Sequence, residues 1–370
     1  MRRLTVVQLL PALHAGGVER STLEIARALV AAGHRAIVVS AGGRLVQPLL
    51  DSGAEHLTLD IGRKSLLTLR HVASLRRLFV ETGADIVHAR SRLPAWLGEY
   101  ALRGIKPPQR PHWVTTMHGL NSPGRYSGIM ASGERVICVS QTVRAYLLQH
   151  YPATDPGKLR VIPRGIDASQ FPRTPRADRR PRLEVARQHP ALAGDAPLLL
   201  LPGRGTRLKG HADAIGLLAA LKQQQVQALL WMPGARAPGR ESYLQELEQL
   251  AGRLGVAGQV VFSEATDRMS QAYAASDLVL QLSDKPEAFG RTVLEALSVG
   301  RPVLGWAHGG VGELLAQLQP EGAVALGDDA GLLQQALQML RQPPALPGRI
   351  PFTLQAMQRA TLDVYAELTR

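Results

Sequence analysis

Short apolar runs alternate with amphipathic stretches in two long series, and this alternation limits what the chain can fold into. Residues 4–10 read as a buried strand, 18–30 as an amphipathic helix and 36–40 as a second strand, which is the opening of a parallel sheet. Apolar strands near 86–88, 113–116, 136–139 and 160–162 continue the pattern. Together they predict one doubly wound unit. Proline, arginine and aspartate then dominate 172–196, which reads as a connection between domains. A second series follows, with strands at 198–201, 228–232, 260–262, 278–282, 302–305 and 323–326. No short sequence repeat accompanies this likeness of the halves. After a proline-rich break at 343–351, residues 352–368 predict a terminal helix.

A chain of 370 residues accommodates two such domains, each large enough to bury a core. No apolar run reaches the roughly 18 residues needed to span a bilayer. The basic start, Arg2 and Arg3, precedes an apolar run only about one strand long, so a secretory leader is not expected. The single cysteine, Cys138, permits no disulfide framework and suits a reducing cytosol. With 43 Lys and Arg against 30 Asp and Glu, the formal charge is +13, which predicts attraction to something anionic. Nucleic acid is not the expected partner, because aromatic residues are not interleaved with the basic ones and no binding module is recognisable.

The stretch 285–297 holds the densest chemistry: Glu287, Ala288, Phe289, Gly290, Arg291 and Glu295 surround a glycine at a helix start. Free N–H groups at a helix N-terminus bind phosphate, and glycine permits close approach of the main chain. Glu295 would then accept from ribose hydroxyls and Glu287 would face a sugar. On spacing alone, a capped amphipathic helix with two solvated glutamates explains the stretch equally well. Gly16 and Gly17 lie between the first strand and first helix, at the ligand-binding edge of a parallel sheet, without the Gly-x-Gly-x-x-Gly dinucleotide fingerprint. Arg204 and Lys209 follow the first strand of the second series, where cations suit a diphosphate; surface charge is the plainer alternative. His118 follows the strand at 114–117, and a lone histidine there is more often a satisfied structural residue than a functional one. No Asp-x-Asp pair and no compact ligand spacing among His and Cys points to a metal. In 63–79, apolar residues at near-helical spacing are flanked by Lys64, Arg70, Arg76 and Arg77. Such a segment lies on an anionic membrane or packs on the sheet with its basic face solvated.

The stretch 285–297 resembles the signature of the family 4 retaining glycosyltransferases, in which two glutamates are separated by seven residues, with a Phe-Gly pair and a Leu-Glu-Ala after the first. Five further segments are similar to that family in the same order: 16–19, Thr116 to Gly119, 161–167 with Arg164 where Asn is common, the pairs Gly203-Arg204 and Lys209-Gly210, and 309–313. The resemblance implies a GT-B fold, two Rossmann-like α/β domains facing across a cleft. Residues 1–171 would bind the acceptor, 172–196 would link, and 197–345 would bind the donor. The terminal helix 352–370 would pack back on the first domain. It further implies a nucleotide diphosphate sugar, with UDP the expected carrier. Gly16 and Gly17 would meet the donor, Arg204 and Lys209 the diphosphate, and His118 the transferred sugar or the acceptor. Arg204, Lys209 and helix-end amides would replace a divalent cation in meeting the leaving charge.

The basic stretch 63–79 is similar to that of transferases that build the lipopolysaccharide core. That likeness implies a lipid-linked or phosphorylated saccharide acceptor and a peripheral place on the inner face of the cytoplasmic membrane. Two rivals stand beside this reading: a nucleotide-sugar epimerase of the same fold, and a basic nucleic-acid or membrane-binding module without catalysis.

Overall fold

A computed structural model describes residues 2–14 and 16–370. The chain divides into two compact units, one running to Gly165 and resuming at Leu354–Arg370, the other Ile166–Thr353. The first holds seven parallel strands: β1 (Thr5–Leu9), β2 (Arg35–Ser40), β3 (Glu55–Thr58), β4 (Ile86–Ala89), β5 (His112–Met117), β6 (Arg135–Cys138) and β7 (Leu159–Val161). Their spatial order is β3-β2-β1-β4-β5-β6-β7. Side chains alternate across a strand. Val6, Val38 and Ile86 therefore pack with the helix Gly17–Ala31 on one face, while Val7, Val39 and Val87 pack with Leu75, Phe79 and Leu97 on the other. Burial on both faces explains why these strands read as continuous apolar runs.

The second unit repeats the plan with β8 (Leu198–Leu200), β9 (Leu229–Pro233), β10 (Val260–Ser263), β11 (Leu278–Gln281), β12 (Val303–Trp306) and β13 (Ala323–Val324), in the order β10-β9-β8-β11-β12-β13. All of its pairings are parallel. In both sheets the first strand sits at the reversal of strand order, where such sheets open a crevice at their carboxyl ends.

Three differences from the sequence reading have physical causes. The edge strand β3 shows only half-buried or exposed residues, so no apolar run marked it. The stretch 172–196 is built into the second unit and contains the helix Arg180–Gln188. Buried arginines hold it: Arg301 donates to the Thr174 carbonyl at 2.8 Å, and Arg182 to the carbonyls of Leu192 at 2.7 Å and Ala196 at 2.9 Å. The basic stretch 63–79 is a 3-10 turn, Leu66–Arg70, followed by the helix His71–Glu81.

The terminal helix Leu354–Leu368 belongs to the first unit. Its buried Met357, Val364 and Tyr365 join the core beside the helix Gly17–Ala31. The Tyr365 hydroxyl meets His88 Nδ1 at 2.7 Å, and His88 Nε2 meets Thr116 Oγ1 at 2.6 Å. Burial holds His88 neutral, its pKa well below the ordinary value. Near the helix end, Glu367 accepts from Arg135 and Arg160, each at 2.6 Å. Those bonds pull its carboxyl down to about 2.

A carboxyl with a lowered folded pKa stabilises the fold above its unfolded value, near 4.5, and that contribution is lost as pH falls toward 2. Acid is therefore expected to loosen the terminal helix in this window. Glu367→Gln should flatten the pH dependence of the melting temperature there. Equal slopes in the two proteins would remove Glu367 as the cause. The group is about a third exposed, so solvent screening keeps the effect modest.

Candidate functional site

The residues singled out by the sequence fall into two clusters, one in each unit. In the second unit, the loop after β11 leads into the helix Arg291–Val299, entered through Gly290 in the left-handed region with φ 109°. The positive φ favours glycine here, and a Cβ would also stand in tight contact, 3.0 Å, with the Val311 side chain. Gly310 matters for a second reason: a Cβ there would lie 2.4 Å from the Phe289 Cα, so its absence lets the helix Gly309–Leu318 abut the loop. The Gly310 N–H donates to the Glu287 carbonyl at 2.7 Å and pins that approach.

The glutamate side chain is held from two sides. Lys209 Nζ pairs with Glu287 Oε1 at 2.5 Å, and the Ser283 hydroxyl donates to the same oxygen at 2.7 Å. Behind them, His308 Nε2 donates to the Ser283 carbonyl at 2.7 Å, which places a proton on Nε2. Both Lys209 and Glu287 stay partly open, with side-chain exposures of 30% and 24%. Lys209 also packs along Gly203, whose Cβ position lies 3.4 Å from the lysine Cγ, and the neighbouring Arg204 is exposed. The structure thus brings Lys209, Glu287 and the Gly290 loop together, with Arg204 on the adjoining turn. Glu295 takes a different setting: it is buried at 7% exposure and accepts from the Tyr273 hydroxyl at 3.0 Å. Phe289 is buried too, its ring edge-on to Phe352, while Ala288 is half-buried.

In the first unit, the helix Gly17–Ala31 starts after Gly16, and His118 follows β5. Arg164, after β7, donates from Nη2 to His118 Nδ1, and from Nη1 to the Ser21 hydroxyl at 2.7 Å. Arg90, after β4, donates to Ser21 at 3.2 Å and to Gln8 Oε1 at 2.8 Å. Loops after β4, β5 and β7 therefore converge with the first helix, at the carboxyl edge where parallel sheets bind ligands. Burial lowers the Arg90 pKa to about 10, which leaves it charged at neutral pH.

The basic stretch splits. Lys64, Arg70, Arg76 and Arg77 are all exposed, but Arg76 also turns its guanidinium to the carbonyls of Ala101 and Tyr100 at the end of the helix Arg92–Arg103. Leu75 and Phe79 are core residues, but Leu66, Leu67 and Leu69 face solvent.

Ser283, His308 and Arg90 were not singled out by the sequence. Ser283 lies four residues before Glu287, a spacing that carries no recognisable chemistry until the loop folds back. Arg90 had one legible signal, a cation directly after an apolar strand. Among the described residues, no three His, Cys, Asp or Glu side chains gather as a cation site, and no helix is long and apolar enough to cross a membrane.

Comparison with known proteins adds the following. The chain is 29% identical to the D-inositol 3-phosphate glycosyltransferase of Xylanimonas cellulosilytica, over 65% of this chain and 59% of that one. It is 27% identical to the lipopolysaccharide 1,2-N-acetylglucosaminetransferase of Salmonella typhimurium, over 49% of this chain and 46% of that one. The matches thus span about half to three-fifths of these relatives' lengths. The fold matches that of Anabaena HepE, solved with UDP and glucose, with a TM-score of 0.79 and 21% identity over 99% of this chain and 100% of that one. Residues 15–170 fit the model of Glycosyltransferase Family 4 and residues 184–345 that of Glycosyl transferases group 1. With those two models in tandem over most of its length, and a doubly wound sheet under each, the chain belongs to the GT-B glycosyltransferases that join a family 4 first domain to a group 1 second domain.

Proposed function

We propose that the chain transfers a sugar from a nucleotide diphosphate donor, UDP-linked, to a phosphate-bearing saccharide acceptor, with retention at the anomeric carbon. The observation that carries this reading is the Lys209–Glu287–Ser283 constellation beside the Gly290 loop. An ammonium next to a helix start suits a diphosphate whose negative charge grows as it leaves. Arg204, exposed on the neighbouring turn, adds a second cation. Glu287 presents its other carboxylate oxygen to the sugar hydroxyls, and Glu295 binds the ribose. In the transfer, the bond from the anomeric carbon to the phosphate oxygen breaks and one to the acceptor oxygen forms. The acceptor's proton passes to the departing phosphate. Lys209, Arg204 and the loop amides meet the leaving charge without a divalent cation.

UDP as carrier is supported by the UDP held by the Anabaena protein of the same fold. A phosphate on the acceptor is supported by the charge of +13 and by the relative that acts on D-inositol 3-phosphate. We favour a lipid-linked, lipopolysaccharide-core acceptor at the inner face of the cytoplasmic membrane. The Salmonella relative acts on lipopolysaccharide, and Leu66, Leu67 and Leu69 stand exposed among Arg63, Lys64 and Arg70.

A melting-temperature panel with UDP-, GDP- and ADP-sugars tests the donor. A ligand that binds only the folded state adds about 2.7 kcal/mol at a hundred times its dissociation constant. UDP-sugars are expected to raise the melting temperature with concentration and the others much less. If no nucleotide sugar shifts it, the chain binds no such donor and the transferase reading falls. If the products contain an epimerised nucleotide sugar and no new glycoside, the transferase reading gives way to the epimerase.

A further inference from the structure

The geometry points to Arg164 as a positioning residue that fixes which ring nitrogen of His118 carries the proton. A guanidinium has N–H donors and no acceptor. Because Arg164 Nη2 donates to His118 Nδ1, that nitrogen presents its lone pair, and in the neutral ring the proton sits on Nε2. An Nε2–H gives a hydrogen bond to a sugar hydroxyl or a phosphate oxygen; it does not take a proton from one. His118 is thereby a donor and not a base, which agrees with delivery of the acceptor's proton to the departing phosphate. This consequence rests on the transferase reading, whereas the tautomer itself does not.

Arg164 is held so that it keeps this role. It is 7% exposed, and its Nη1 donates to the Ser21 hydroxyl at 2.7 Å while lying 3.8 Å from Met357 Sδ. Arg90, 3% exposed, donates to the same hydroxyl at 3.2 Å and is itself tied to Gln8. A hydroxyl has two lone pairs, and both of Ser21's are occupied by guanidinium donors. The residue common at position 164 in the resembled family is asparagine, whose amide offers a donor and an acceptor and so admits either tautomer. Arginine admits one.

Ring nitrogen-15 spectra of the full chain at pH 8, with His118 identified by its loss in His118→Gln, read the proton on each nitrogen. The expected native pattern is an unprotonated Nδ1 and a protonated Nε2. Arg164→Met is expected to shift the Nδ1 signal and to lower kcat about tenfold, with donor KM changed by less than about twofold, the loss of one oriented hydrogen bond. Arg164→Lys, which retains an N–H donor, should keep the native proton pattern, as should Ser21→Ala. A protonated Nδ1 in the native protein overturns the proposal. So does an unchanged His118 spectrum in folded Arg164→Met. If that variant does not fold, the native and Arg164→Lys spectra decide, and a protonated Nδ1 in either is the overturning result. The expected tautomer in a chain that transfers no sugar would sink the transferase reading and leave the assignment of Arg164 standing.

Discussion

Lys209→Ala is expected to lower kcat by about a hundred- to a thousandfold, the range found when one preorganised charge-stabilising group is removed from an active site. Two effects act in the same direction. The ammonium proposed to meet the departing diphosphate is gone, and Glu287 loses the partner that pairs with it at 2.5 Å. That carboxylate would then repel the phosphate oxygens. Lys209→Arg retains the charge but replaces a compact ammonium by a planar fork, so an intermediate rate is expected. Steady-state kinetics with saturating donor measures both. A folded Lys209→Ala protein with native kcat would exclude the lysine from the reaction and with it the donor site proposed here.

Replacing Leu66 and Leu67 together by aspartate is expected to weaken binding to anionic vesicles by roughly thirtyfold or more, because full burial of one leucine is worth about 1.5–3 kcal/mol. These side chains are 86% and 72% exposed, far beyond what packing on the sheet would leave. The turn that presents them is tightly made: the Thr68 hydroxyl donates to the Arg63 carbonyl at 2.7 Å, and Ser65 accepts from the Leu67 N–H at 3.3 Å. Leu75 and Phe79 anchor the following helix in the core. Basic residues near an anionic surface add about 1 kcal/mol each, so raised salt should weaken the native protein's binding as well. Sedimentation with phosphatidylglycerol vesicles reads the effect. Equal sedimentation of the native and double-aspartate proteins would end the membrane reading and leave the leucines unexplained.

The basic stretch also shows what the sequence could and could not disclose. Apolar spacing over 63–79 put Leu66, Leu69, Leu75 and Phe79 on one face and left open whether that face meets a membrane or the sheet; in the structure Leu75 and Phe79 enter the core, while a 3-10 turn carries Leu66 and Leu69 outward. Nothing in the one-dimensional pattern separates the two windings. The doubly wound sheets were legible because strands buried on both faces must be apolar throughout, as 278–281 are except for Gln281. At the candidate site, Glu287, Gly290 and Lys209 were legible through motif and position. The groups that hold them, Ser283 and His308, act through a side-chain hydroxyl and a backbone carbonyl, and such partners have no fixed spacing. Arg182 and Arg301 were hidden for a related reason. In a chain rich in arginine they read as solvated charge, yet each is buried and gathers main-chain carbonyls.

The helix Leu354–Leu368 completes a unit whose other residues end at Gly165. During synthesis, the ribosome must add a whole second sheet before Tyr365 can reach His88. Until then the nascent first unit exposes the apolar groove beside the helix Gly17–Ala31 and a histidine lacking its phenol. The unit made first is thus the one finished last, its core uncovered on that side until the chain's end is made.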